Sequence, residues 1–240
     1  MKTIVVAALF GVCAGGASAS TVNSVDFENA GVGKFINTIY ADGVKIGIRS
    51  RSRAIPGRAS FTNSARIFDT DNPTGGDTDL GSPFYKDVSA GFDGSGANPS
   101  RVLKPGKVII LSENEGKNSV VDDNATGGFI TFDFGGLVNI TRLTLLDDAN
   151  IKVSSEKGMV RANVRNDNEY KHIRLSNSSQ FKGVRYLTIS TVDSFALDDI
   201  RFEKIAGQNY EVPVPAALPL LGGALFGLGL MRTKRKERQV

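Results

Sequence analysis

The residues with the clearest chemical potential in this chain are carboxylates. The stretch Asp69-Thr-Asp-Asn-Pro-Thr-Gly-Gly-Asp-Thr-Asp79 gathers Asp69, Asp71, Asp77 and Asp79 in one short polar run. Clustered carboxylates, with Asn side chains and backbone carbonyls, are hard oxygen donors of the kind calcium takes. The run is not an EF-hand. Pro73 and Thr74 stand where that loop needs an oxygen ligand and a glycine, and no glutamate closes it. Asn72-Pro-Thr-Gly-Gly76 is also a good turn in its own right. Spacing alone therefore admits both a metal loop and a plain turn.

Other chemistry is scarce. His172 is the one histidine and lies in a strand-like run, which reads as a surface or packed imidazole rather than a general base. One histidine and no cysteine outside the first twenty residues exclude the usual zinc ligand sets. Gly94-Ser-Gly96 lacks the spacing of a nucleophile elbow. Paired carboxylates are plentiful and admit a glycosidase, although acidic pairs arise readily in this composition. The chain has no tryptophan. The broad apolar rings that stack on sugars would have to come from Tyr40, Phe84 and Tyr85, which lie near loops. Tyr170 and Tyr186 sit in strand patterns and read as structural.

The elements that must position these residues are strands. Lys45-Ile-Gly-Ile-Arg49 alternates cleanly, and Phe129 to Phe134 keeps apolar residues at 130, 132 and 134. Val108 to Leu111 is a short continuous apolar run, suited to a buried strand. Ser24–Glu28, Val138–Leu146, Ile151–Val153, Val160–Val164, His172–Leu175, Val184–Ile189 and Phe195–Phe202 complete the series. Period-two patterning rich in β-branched residues is the strand signal. Turn clusters at 72–76, 91–100, 114–118, 125–128 and 166–168 separate the runs. Many short strands so spaced predict a sandwich or barrel. No long helical period occurs between residues 20 and 210. Thr70 to Pro105 is too long for a hairpin loop, and loops of that size are usually functional or mobile.

Both ends read as addresses. Met1-Lys2, the apolar Ile4–Val12 and Ala17-Ser18-Ala19 form the three regions of a signal peptide, so residues 1–19 are expected to leave and the mature chain to begin at Ser20. Cys13 leaves with them. At the other end an apolar run, Leu220 to Met231, precedes Arg232, Lys234, Arg235, Lys236 and Arg238. That order is a stop-transfer signal with the basic end in the cytoplasm. The run is short against the roughly 20 residues of a full span.

Removing the ends changes the charge argument. Lys2 and the five tail cations account for six of the 29 cations and leave 23; Glu237 accounts for one of the 25 anions and leaves 24. The body is near neutral, so overall basic charge gives no case for a nucleic-acid partner. A cysteine-free exported body must be held by its core or by a metal. About 190 residues suffice for one sizeable core and one domain.

The tail resembles the sorting signals of the PEP-CTERM class, in its VPLPA-CTERM variety. Val212, Pro213, Val214, Pro215 and Ala216 carry the likeness, followed by the glycine-rich apolar run and the basic cluster. Val214 stands where that variety usually has leucine, and the Pro-Glu-Pro of the parent class is absent. The resemblance covers about the last tenth of the chain. It implies a Gram-negative bacterial protein held briefly in the inner membrane, cut near the proline motif by an exosortase-type protease, and released to the surface or matrix, often alongside exopolysaccharide.

The body has its own likenesses. Val25-Asp-Phe-Glu28 at the start and Phe195-Ala-Leu-Asp-Asp-Ile-Arg-Phe202 at the end resemble the first and last strands of jelly-roll carbohydrate-binding modules. That resemblance implies neighbouring terminal strands and a structural calcium held by Glu28 with Asp198 or Asp199. The segments Asp69–Gly81 and Asp122-Asp-Asn-Ala-Thr-Gly-Gly128, with Phe132-Asp-Phe134, are similar to segments that recur in uncharacterised secreted bacterial proteins and imply no activity.

Together these readings predict an all-β, jelly-roll-like antiparallel sandwich over residues 20–205. A proline-rich linker with the sorting motif follows at 206–219, a membrane helix at 220–231 and a basic tail at 232–240. The expected role is binding or structural, with calcium as a structural ion and exopolysaccharide as a partner. The competing expectation is a carbohydrate-active hydrolase or lyase on the same fold.

Overall fold

The computed structural model describes residues 21–84, 86–87, 102–147, 149–164 and 169–210. The expected signal peptide, Tyr85, the sorting motif and the membrane segment with its tail lie outside these residues. Among the described residues no helix is long and apolar enough to cross a membrane.

Among the described residues twelve strands form one continuous sheet: β1 Val22–Val25, β2 Thr38–Ala41, β3 Val44–Ser52, β4 Ala65–Asp69, β5 Lys86–Asp87, β6 Lys107–Leu111, β7 Gly128–Leu146, β8 Ala149–Ser155, β9 Gly158–Val164, β10 Glu169–Arg174, β11 Val184–Thr191 and β12 Ala196–Lys204. All described pairings are antiparallel except β5 with β10. The expected all-β class is observed, in a curled antiparallel sheet.

The curl depends on β7, which is 19 residues long. Its first half, Gly128–Asp133, pairs with β3 on one side and β11 on the other. Its second half, Val138–Leu146, pairs with β12, and its last residues also with β10. Gly135 lies between the halves with φ +69°, a conformation that costs glycine nothing. The register against β11 jumps there, from Val138 opposite Val184 to Asp133 opposite Tyr186. The sequence pattern reads two strands in this stretch; the chain makes one, bent at its glycines.

The curled sheet wraps one apolar cluster. Ile46, Ile48, Ile130, Phe132, Leu187 and Ile189 point into it from one half; Ile67, Ile109, Leu143, Leu145, Ile200 and Phe202 do so from the other. Alternation along each strand supplies this inner face. The outer face of the second half is covered too. Phe68, Val108, Ile110, Leu146, Tyr170 and Ala196 meet Leu80 and Phe84 from the segment after β4 in a second apolar cluster. β4 and β6 are therefore buried on both faces, which explains the continuous apolar run in β6.

The terminal strands are neighbours, as their resemblance implies, but β1 ends at Val25, so Asp26, Phe27 and Glu28 of the expected opening strand lie in the loop and turn that follow it. Val22–Val25 run antiparallel to Ile200–Glu203. β1 and β6 share one edge of β12, with β6 opposite Ala196–Leu197 and β1 opposite Ile200–Glu203. Asp198 and Asp199 fall at the junction, in a bulge where the register against β7 slips.

Candidate metal centre

The acidic stretch does not act as one loop. Asp69 turns back on itself: its carboxylate accepts the Asp71 N–H at 3.0 Å and the Asn72 side-chain amide at 2.9 Å. Asp79 accepts the N–H of Leu80 at 3.0 Å. Asp77 leaves this stretch and meets Asp122 and Asp123, more than forty residues on. One carboxylate oxygen from each of Asp77, Asp122 and Asp123 lies within 4.8 Å of the others. Calcium–oxygen distances of about 2.3–2.6 Å place two ligands on opposite sides of an ion about 5 Å apart, so the spread suits one shared cation.

Local backbone chemistry brings the two segments together. The Thr74 hydroxyl donates to the Val121 carbonyl at 2.7 Å. Asp77 Oδ2 accepts the Asp123 N–H at 3.0 Å. Gly75 has φ +74°, and a Cβ there would lie 2.8 Å from Asp122. Only glycine lets this turn approach so closely. On the far side Asp123 bridges Ser112 at the end of β6, and the Asn124 N–H donates to the Leu111 carbonyl at 2.8 Å.

A buried arginine fixes the loop that delivers Asp122. Arg66 on β4 is 1% exposed. Its guanidinium donates to the carbonyls of Gly33 at 2.8 Å, Ser119 at 2.8 Å and Val120 at 3.2 Å, and to the Ser119 hydroxyl at 3.0 Å. It also lies over the Phe35 ring, 4.9 Å from the centroid. The planar five-donor fork of arginine suits such a set of carbonyls. Sequence reasoning overlooked this residue, because Ala65–Asp69 shows no alternation and does not read as a strand.

The electrostatics of the triad are those of carboxylates held together without enough positive charge. Burial and the neighbouring Asp77, Asp147 and Asp79 push Asp123 up to about 9. Burial raises Asp77 to about 6 despite the N–H it accepts, and the charge of Asp122 adds to the rise. Burial also raises Asp122, against its contact with Asp77 and the charge of Arg58. Asp123 is 7% exposed, and its Oδ2 has no hydrogen-bond partner among the described residues. Without a cation Asp123 therefore keeps its proton at neutral pH and turns it toward Asp77, whose value that contact lowers. A hard divalent cation would displace that proton and hold the three carboxylates together.

The pair of strand ends proposed from the jelly-roll likeness is arranged differently. Glu28 accepts the Lys107 N–H at 2.9 Å and packs over Gly106, where a Cβ would meet its Oε1 at 2.6 Å. The Lys107 ammonium donates to the carbonyls of Glu28 and Ala30 at 2.7 and 3.0 Å. Burial, with the charges of Asp199, Glu28 and Asp26, pushes Asp198 up to about 7, so Asp198 and Glu28 do share a neighbourhood. Asp199 does not join them. It accepts from Arg142 at 2.8 Å, from Arg201 at 3.1 Å and from the Thr144 hydroxyl. Burial raises this carboxyl, but these bonds and the Arg142 charge outweigh it and hold it below its usual range.

The aromatic candidates divide. Tyr40 is 57% exposed on the β2–β3 hairpin. Phe84 is fully buried in the second apolar cluster, so its ring is not offered to a ligand; its place next to a loop concealed a packing role. His172 is packed as expected, with Nδ1 2.8 Å from the Thr144 hydroxyl. No protein-family model, curated protein or solved structure matches this chain.

Proposed function

We propose that this is an exported binding or structural protein of the cell surface or extracellular matrix, with a jelly-roll-like body clamped by one calcium ion at Asp77, Asp122 and Asp123. The observation that carries this reading is the gathering of three partly or fully buried carboxylates, Asp77, Asp122 and Asp123, with oxygens within 4.8 Å of one another and the Oδ2 of Asp123 outside any hydrogen bond among the described residues. Waters and nearby carbonyls would complete the six to eight ligands calcium takes. Weak calcium sites suit extracellular modules, where dissociation constants run at about 0.1–1 mM. The body has no disulfide, so an ion bound only in the folded state substitutes for one. Delivery by the exosortase-type signal and association with exopolysaccharide rest on the resemblance of the tail.

Differential scanning fluorimetry of the full chain, with calcium or with chelator, tests the clamp. At free calcium ten times the dissociation constant the gain is RT ln 11, about 1.4 kcal/mol. The expected rise in melting temperature is about 2–4 °C for a domain of this size. Asp77→Asn and Asp123→Asn should each abolish the rise. In chelator, Asp123→Asn should leave the melting temperature little changed at neutral pH, where the carboxyl already holds its proton, and raise it above about pH 9. Glu28→Gln and Asp198→Asn should leave the calcium response intact. Identical curves with calcium and chelator would refute the reading. A response lost only in Glu28→Gln and Asp198→Asn would move the ion to the chain ends.

A further inference from the structure

The outer face of the β3–β7–β11–β8–β9 half has a composition unlike the rest of the body. Register aligns residues across its strands. Arg51 stands opposite Phe129, Phe129 opposite Ser190, Ser190 opposite Lys152 and Lys152 opposite Arg161. In the next outward row Arg49 stands opposite Thr131, and Thr131 opposite Thr188. Between these rows the side chains point inward: Ser50, Ile130, Ile189 and Val153 are buried. The rows therefore share one exposed face.

That face is basic. Arg49, Arg51 and Arg53 follow one another at period two, and Lys152 and Arg161 extend the charge across the sheet. None of the five makes an ion pair among the described residues. Asp133, the carboxylate aligned with them, is engaged by Arg185 at 2.7 and 3.1 Å and also feels the charge of Arg49, so one carboxylate faces two arginines. The excess is local, since the body as a whole is near neutral.

A cleft of about 340 Å³ opens in this face, lined by Arg51, Arg53, Ser60, Phe129 and Ser190 among others. Phe129 is 39% exposed. Arg51 donates to the Ser60 hydroxyl at 3.0 Å, which sets its guanidinium on the rim. The floor is close-packed: Gly128 has φ +149°, and a Cβ there would fall 2.1 Å from the Arg51 carbonyl. The cleft thus combines one apolar ring, two guanidinium groups and several hydroxyls.

We propose that this face docks an acidic polysaccharide, laying one uronate-type pyranose on Phe129 and setting sugar carboxylates against Arg49, Arg51 and Arg53. Each part answers a part of the ligand. The apolar face of a pyranose covers an aromatic ring. Guanidinium groups take carboxylates in bidentate pairs. Ser and Thr hydroxyls exchange hydrogen bonds with sugar hydroxyls. The row of cations matches a polymer with one negative charge per residue better than a neutral glycan. Single-stranded nucleic acid fits less well, because its binding uses a series of stacking rings; the cleft offers Phe129 alone, and the other ring near its arginines, Tyr186, is already covered by Arg49 and Arg185.

Affinity electrophoresis of the full chain through gels containing polygalacturonate tests the proposal. All samples contain chelator, so calcium bridging cannot contribute and the result is independent of the metal centre. The expected result is marked retardation by polygalacturonate and none by dextran. Arg49→Ser/Arg51→Ser/Arg53→Ser should weaken binding by about tenfold or more, the scale of losing one or more charge-assisted contacts. Phe129→Ser should weaken it several-fold with the charge unchanged. The basic tail is present in every variant, so a loss reports the face alone. Lys152→Ser/Arg161→Ser, at the other end of the row, provides a second loss should the triple variant melt at a lower temperature than the parent. Unchanged retardation in both charge variants would overturn the proposal. So would equal retardation by dextran, or tighter binding of single-stranded DNA than of polygalacturonate at the same salt concentration.

Discussion

The two outer faces of this sheet are built from the same kind of strand but meet different fates. Over β4, β6, β12 and the second half of β7, the outward residues are Phe68, Val108, Ile110, Leu146 and Ala196, and the segment carrying Leu80 and Phe84 folds down on them. Over β3, β11, β8 and the first half of β7, the outward residues are Arg49, Arg51, Phe129, Thr131 and Thr188, and they remain accessible. The covered face ends in the acidic triad, and the open one carries cations that make no ion pair among the described residues. A near-neutral body can therefore be strongly polarised. Its composition averages away the separation of charge that its register creates.

The comparison is most easily broken at its two phenylalanines. Phe84→Ala should cost about 3–5 kcal/mol, because it empties a filled site. Phe129→Ala should cost about 1 kcal/mol or less, as at other exposed positions. Chemical denaturation of both variants measures the contrast, and comparable losses would mean that the open face is also a packed one. Next comes Arg66, whose guanidinium secures the loop leading to Asp122. Arg66→Met should destabilise by about 2–4 kcal/mol through its stranded carbonyls, and the calcium response should weaken with it.

The pH dependence distinguishes the faces further. Asp123 and Asp77 have folded values raised above those of the unfolded chain. The folded state therefore holds more protons between about pH 4 and 9, and stability in chelator should fall as pH rises through that window. Saturating calcium should flatten this decline, which thermal melts at several pH values would show. Asp133 behaves oppositely. Burial raises it, but Arg185 and the Gly135 N–H hold it below its usual range. Its contribution is present above the unfolded value and is lost as acid protonates it. The smallest effect belongs to this pair. A double-mutant cycle on Asp133 and Arg185 should return about 0.2–1 kcal/mol, as for other exposed ion pairs.

Much of the fold was legible where one face of a strand is wet. Lys45–Arg49 and Phe129–Phe134 alternate, and both are strands. Legibility failed where both faces are dry or where an element is short. Ala65–Asp69 is buried nearly throughout and includes a buried arginine, so it shows no alternation. Thr38–Ala41 is only four residues of a hairpin. The metal centre was half visible. Asp77 lay in the acidic stretch first singled out, but its partners are fixed by the Thr74–Val121 and Asp77–Asp123 hydrogen bonds, which no local spacing encodes. The Arg49–Arg51–Arg53 alternation was present in the sequence. Its continuation through Lys152 and Arg161 depends on strand register alone.

The position of β12 has a mechanical consequence. This last described strand is not at an edge: β7 flanks it on one side, and β1 and β6 flank it on the other. Just beyond it the Tyr210 hydroxyl donates to the Leu137 carbonyl at 2.6 Å and accepts the Ile205 N–H at 2.9 Å, with its ring seated on Gly136. A pull on whatever follows Tyr210 first loads that clasp and then draws β12 lengthwise between its neighbours. Hydrogen bonds on both edges must then shear together instead of opening one by one, so the body resists a pull on this end where a peripheral strand would peel away.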